Sequence, residues 1–106
     1  MAGVALTSAK VLGDWIIVVL AEDSGSAPKS KVLAMIENRY GDLLSPEDWR
    51  TQPSNREVKW QNNTAWQRNR LVRDGVLEPV SRAGFNNWKL TPRGYARYQQ
   101  ILRKHR

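Results

Sequence analysis

The chain has 106 residues, of which 41% are apolar, so we expect one modest core and a single domain over residues 1–106, with a loose lead-in at residues 1–7. Cysteine is absent, which excludes disulfides, cysteine-based zinc sites and cysteine nucleophiles. Seventeen basic residues against ten acidic ones give a formal net charge of +7, and a field of this sign attracts polyanions such as nucleic acid.

The first predicted element is the apolar run at residues 15–21. This run is too short to span a bilayer, which needs about 20 residues. Asp14 before it and Glu22 after it differ from the flanks of a signal peptide, so we expect a buried element of a cytoplasmic protein with no membrane partner. Its β-branched residues favour a strand, whereas its length and a start at Ser8 or Asp14 favour a helix, so the pattern leaves both open.

A second helix is predicted after Pro28, because apolar residues recur at helical spacing from Val32 to Tyr40 and Gly41 ends the pattern. Residues 45–49 then predict a short helix that begins with a serine cap, a proline and an acidic first turn.

A third helix is predicted over residues 60–74, followed by a glycine. Residues 76–80 and 86–90 predict two short strands joined by a glycine-containing turn, and Thr91 and Pro92 are typical of the start of a last helix. This order predicts a mainly α fold with a small β-hairpin, a winged helix-turn-helix. In that fold the helix before the hairpin enters the major groove of DNA.

The polar side of the third helix carries the candidate binding residues. A helical wheel places Asn63, Gln67, Arg70 and Asp74 opposite the predicted core. Asn and Gln can pair with adenine edges and Arg with guanine, so this side is predicted to read bases, while nearby cations hold phosphates. The predicted DNA-binding set is Asn62, Asn63, Trp66, Gln67, Arg68, Arg70, Arg73, Lys59, Arg82 and Arg93.

Two aromatic residues of this region have alternative interpretations. We expect Trp66 to pack against the short helix beside Trp49, because a large exposed indole is unusual, with base contact as the alternative. Phe85, at the turn of the hairpin, either contacts DNA or folds back on the hairpin. The basic residues Arg103, Lys104 and Arg106 either bind phosphates or stabilise the end of the last helix.

No enzymatic site is predicted. Glu57 and Lys59, with Glu47 upstream, partly match the pattern of metal-dependent nucleases, but such a site needs carboxylates that converge from adjacent strands. Glu47 falls at a predicted helix start, and His105 alone cannot hold a metal. We therefore expect no catalytic residue, no metal and no cofactor.

The segment from Trp60 to Gly94, about a third of the chain, carries a pattern of residues that is found in a known protein family. The residues of this pattern are Trp66, Leu71, Gly75, Val76, Leu77, Arg82, Ala83, Gly84, Trp88, Lys89, Leu90, Thr91, Pro92, Arg93 and Gly94. With this pattern the chain resembles the N-terminal winged-helix domain of Mrr-type restriction proteins. The resemblance implies a module that reads double-stranded DNA, often base-modified, for bacterial defence and is usually joined to a separate nuclease domain.

This sequence carries no such nuclease domain. We expect the recognition part of a larger restriction protein, with a fused or partner nuclease, or else a stand-alone transcriptional regulator. A third interpretation is a winged helix that binds another protein through its tryptophans.

Overall fold

The computed structural model describes residues 5–104; the predictions for residues 1–4, His105 and Arg106 lie outside this range. The helices are α1 (Ala9–Glu22), α2 (Lys29–Tyr40), α3 (Lys59–Arg73), α4 (Val80–Ala83) and α5 (Pro92–Lys104), with a 3-10 turn at Gly41–Leu43. The strands are β1 (Ser26–Pro28) and β2 (Asn87–Lys89). The mainly α class with a small β component is therefore confirmed. None of the described helices has both the length and the apolar character needed to cross a bilayer.

Helix α1 forms the centre of the core. Between Leu12 and Leu20 every residue except Asp14 is buried, because α2, α3, α5 and β1 all pack on this helix. The side chain of Ser8 caps its start by accepting a hydrogen bond from the Val11 N–H at 3.3 Å. A helix that is covered on all sides needs no polar face, which explains why the apolar run shows no helical periodicity.

The prediction of a short helix over residues 45–49 is wrong. This segment forms consecutive turns, in which the Asp48 N–H donates to the Ser45 carbonyl at 3.0 Å. The carbonyls of Asp48 and Arg50 accept hydrogen bonds from the first two residues of α3, at 3.0 and 2.8 Å. The segment is held against the start of α3 and does not continue as a helix of its own.

The predicted hairpin is largely replaced by a different strand pairing. Strand β2 pairs antiparallel with β1, and Ala27 lies opposite Trp88 in this register. The predicted first arm of the hairpin pairs only through an isolated bridge between Leu77 and Leu90. Pro79 has no N–H to continue the ladder, and α4 begins directly after it.

The start of α5 confirms the predicted cap. The Thr91 hydroxyl accepts a hydrogen bond from the Gly94 N–H at 3.0 Å and lies 2.5 Å from the carbonyl of Gly75, just beyond α3. Further along α5, Ile101 is buried in the core, where the helix packs on α1. Thr91 thus ties the end of α3 to the start of α5, which fixes the position of α3.

Candidate nucleic-acid interface

Helix α3 is oriented by three buried side chains, Trp60, Thr64 and Leu71, which face α1. Thr64 is fully buried, and its hydroxyl donates to the Trp60 carbonyl at 2.6 Å, so its polar group is satisfied within the helix. Because these three positions mark one side of the helix, the side that faces solvent is determined at about 100° per residue.

The opposite side of α3, called the outer face from here on, consists of Asn62, Trp66, Asn69 and Arg73. The last three are exposed, whereas Asn62 is half-buried, and its Oδ1 accepts a hydrogen bond from the Asn55 Nδ2 at 3.2 Å. The outer face therefore offers one indole, two amides and one guanidinium on successive turns.

The expectation that Trp66 packs beside Trp49 is wrong. Trp66 is 64% exposed, while Trp49 packs edge-on against Trp60 with their ring centroids 5.7 Å apart. Trp60 thereby takes the place in this contact that was predicted for Trp66. Burying an indole stabilises a protein by roughly 2 kcal/mol, and most of this free energy is not gained at Trp66 within the chain itself. The exposed ring is therefore a candidate contact for a binding partner.

The predicted outward position of Gln67 is also wrong. Its Oε1 lies 3.8 Å from the point where a Cβ would stand at Gly13 of α1. This is an ordinary van der Waals contact, which places the half-buried Gln67 beside α1 and not on the side of α3 away from it. Asn63 is half-buried beside it, whereas Arg70 and Asp74 are exposed at the rim of a groove between α1, α3 and α5.

Charge is distributed unevenly along the chain. Residues 59–104 contain ten basic and two acidic side chains, whereas residues 1–58 contain six basic and eight acidic side chains. Every carboxylate in an ion pair of the described residues belongs to the first segment, and Lys59 is the only paired cation of the second. Counting charges by segment finds this asymmetry without a structure, and the sequence analysis missed it.

The remaining predicted cations have different surroundings. Lys59 is paired with Glu47 at 3.4 Å, and Arg68 is half-buried, with no acceptor of the described residues within reach of its Nε. Arg93 donates to a backbone carbonyl at the end of α3 at 3.3 Å but stays exposed, and Arg82 is exposed on α4. Arg82 and Arg93 are therefore better placed to reach a phosphate than Lys59 and Arg68.

The turn between α4 and β2, residues 84–86, presents another exposed aromatic ring. Phe85 is 94% exposed and does not fold back on the sheet. It stands between Gly84 and Asn86, both of which have positive φ angles (95° and 58°). This geometry decides between the two predicted positions of Phe85 in favour of the outward one.

Thr7, the last residue of the predicted loose lead-in, is anchored through Asp48. The carboxylate of Asp48 accepts hydrogen bonds from the Thr7 N–H at 2.8 Å, the Thr7 hydroxyl at 2.7 Å and the Ser45 N–H at 2.9 Å. Burial by itself raises the pKa of Asp48, but the hydrogen bonds from Thr7 and Ser45 outweigh it and hold the pKa below its ordinary value. An ionised carboxylate thus holds the lead-in and the loop before α3 together.

In the part of the chain that the structure describes, no three acidic or histidine side chains come close enough together to hold a metal ion. Comparisons of the chain with protein-family models, with curated proteins and with solved structures found no match.

Proposed function

We propose that the protein binds double-stranded DNA as a winged-helix module, with α3 in the major groove. The observation that carries the proposal is the outer face of α3, which leaves Trp66, Asn69 and Arg73 exposed on a helix that is anchored to α1. A helix of this kind fits the width of the major groove, and its amide and guanidinium groups match the edges of adenine and guanine.

The arrangement of the short strands supports the winged-helix assignment. Strand β2 lies between β1 and the Leu77 segment, and the turn that carries Phe85 would form the wing. One feature departs from a simple helix-turn-helix, whose turn has 3–4 residues. Here residues 44–58 connect the 3-10 turn after α2 to α3, and this segment is held at the start of α3 by backbone hydrogen bonds.

Roles within the interface follow from exposure. Asn69 and the arginines Arg70 and Arg73 are free to contact base edges, and the ring of Trp66 can contact a thymine methyl group. Gln67 is assigned to the contact with α1 instead of to base readout. Phosphates are held by cations around this surface, with Arg82 and Arg93 the best placed.

Salt dependence tests the proposal directly. Four phosphate contacts give a slope of about −3.6 in log K against log salt, so we expect affinity for a fluorescent duplex to fall roughly 150-fold between about 50 and 200 mM salt. Fluorescence anisotropy measures this. An affinity that hardly responds to salt, or no binding at low salt, contradicts the proposal.

A matched pair of variants tests the outer face. We expect Trp66→Ala to weaken duplex binding about ten-fold with little change in melting temperature, because the ring packs on little of its own chain. Leu43→Ala removes an apolar side chain of similar exposure, 67%, outside α3 and should bind as the wild type does. Equal affinities for both variants would show that the outer face is not the contact surface.

The resemblance to Mrr-type proteins extends the proposal to the recognition module of a restriction nuclease that reads base-modified DNA. Titration with matched modified and unmodified duplexes tests this extension, and equal affinities would reject it while leaving duplex binding intact.

The alternative, a winged helix that binds another protein through its tryptophans, has less support. Trp15, Trp60 and Trp88 are buried in the core, so most of the proposed docking surface is missing. An apolar groove of about 380 Å³, which includes Val11 and Leu102, is the feature that favours it. Binding of a partner there would respond little to salt.

A further inference from the structure

Phe85 is the most exposed large apolar side chain of the described residues, at 94%. It lies at the tip of the turn between α4 and β2, with no covering element. Phenyl rings are ordinarily buried in proteins, so a ring held in water at the end of a projection needs a reason beyond folding.

The turn that carries Phe85 is braced and does not hang free. Asn87 donates twice, from its backbone N–H to the Gly84 carbonyl at 3.2 Å and from its Nδ2 to the Ala83 carbonyl at 3.0 Å. The carbonyl of Asn86 accepts a hydrogen bond from the backbone N–H of Lys29 at 3.3 Å, which ties the turn to the start of α2. The ring is therefore presented on a supported loop.

Three basic residues lie in or beside this turn. Arg82 and Lys89 are exposed within four residues of Phe85, and the hydrogen bond from Lys29 brings a third cation to the turn. Among the described residues none of these three forms an ion pair with a carboxylate. From residue 78 to residue 90, Val80 is the other exposed large apolar side chain and the half-buried Glu78 is the one acidic side chain, so basic residues outnumber acidic ones around Phe85.

We propose that Phe85 is a wedge that enters the minor groove of duplex DNA and partly separates two stacked base pairs, while the flanking cations hold the phosphates on either side. This inference rests on the proposed DNA-binding function. An apolar side chain inserted between base steps unstacks them and kinks the duplex toward the major groove. Binding therefore bends and unwinds DNA, which contact by α3 alone does not require.

Circularisation of short DNA fragments by ligation tests whether Phe85 acts as a wedge, and it does not require a known binding sequence. Fragments shorter than the persistence length of about 150 base pairs resist circularisation, and we expect saturating wild-type protein to raise their ligation rate at least about ten-fold. Relaxation of a plasmid by a topoisomerase in the presence of the protein should also shift the topoisomer distribution toward unwinding.

Two variants of the same residue separate the wedge from simple contact. Phe85→Ala should still bind a duplex by anisotropy, within about five-fold of the wild type, because the phosphate contacts remain, but should lose both bending and unwinding. Phe85→Leu should keep most of both effects, since leucine also serves as a wedge.

Each other outcome has a distinct meaning. If the wild type binds duplexes but neither bends nor unwinds them, or if Phe85→Ala behaves as the wild type does, the wedge is rejected and DNA binding stands. Loss of binding equally in Phe85→Ala and Phe85→Leu also rejects it. Self-association of the wild type without DNA, abolished in Phe85→Ala, would reassign the ring to a protein contact, and absence of duplex binding overturns both proposals.

Discussion

A single carboxylate, that of Asp48, connects three parts of the chain that are distant in sequence. Its side chain binds Thr7 and Ser45, while its backbone carbonyl accepts the Trp60 N–H at the start of α3. The residue is only 1% exposed, so its charge is stabilised by these donors and not by water. The position of the candidate interface therefore depends on a buried residue that lies outside it.

We predict that Asp48→Asn destabilises the protein by about 1–3 kcal/mol near neutral pH, because amide substitution leaves buried donors without an acceptor. The pKa of Asp48 is lowered in the folded state, so its contribution is present above the unfolded value of about 3.9 and is lost as pH falls through the lower, folded value. Thermal unfolding between neutral and acidic pH measures this.

The control is Asp42→Asn, at an exposed carboxylate of the 3-10 turn, which should leave the melting temperature nearly unchanged. A difference between the wild type and Asp48→Asn that stays constant down to pH values well below 3.9 would contradict the role of ionisation.

At the scale of elements, the start of α5 meets the strand region with almost no space between them. Gly94 is buried, and a Cβ there would stand only 2.7 Å from the Leu90 Cδ2 and 2.5 Å from the carbonyl oxygen of Val76. The backbone of Val76 is held by its neighbours and cannot move away as a flexible side chain could. Glycine is therefore required at this position by packing, within an ordinary helix.

We predict that Gly94→Ala lowers the free energy of unfolding by about 1–3 kcal/mol through overpacking, despite the higher helix propensity of alanine. Gly41→Ala is the matched control. Gly41 has helical backbone angles, and an added Cβ would make ordinary contact at 3.8 Å with the Glu37 side chain, so this variant should be neutral or slightly more stable. Chemical denaturation compares the two; equal stabilities would contradict the close packing.

At the scale of the molecule, the two segments of the chain differ in their electrostatic character. The cations of residues 1–58 are balanced by carboxylates, several of them in ion pairs, whereas those of residues 59–104 are largely not. Because exposed charges beyond a Debye length are screened, local and not total charge governs the binding of a polyanion. The excess of positive charge is therefore carried by residues 59–104, the segment that contains α3.

Two double variants with the same change in net charge test this. Replacing Arg82 and Arg93 by glutamine should lower the magnitude of the slope of log K against log salt by about two, since these two arginines are assigned to phosphates. Replacing Arg39 and Arg50, each paired with a glutamate, should leave the slope nearly unchanged. Similar slopes for both would show that total charge alone drives binding.

Local signals predicted the bounds of α2 and α3 and the start of α5, because helix ends are set by neighbouring residues. The third helix was predicted within one residue at each end, and the hydroxyl of Thr91 caps α5 as expected. The strand β1 was missed because three residues beside a turn carry no usable periodicity. The pairing partner of β2 depends on which segment α1 and α2 bring alongside, which no local pattern contains.

The amino-acid sequence by itself determined the mainly helical class, the bounds of α2 and α3, the start of α5 and the excess of positive charge, because these depend on composition and on residues close together in the chain. Only the tertiary structure decided that Trp66 and Phe85 face solvent and that Gln67 faces α1. The reason is that the rotation of α3 depends on how Trp60, Thr64 and Leu71 pack in the core, and contacts between segments far apart in sequence are set by the packing of the whole chain.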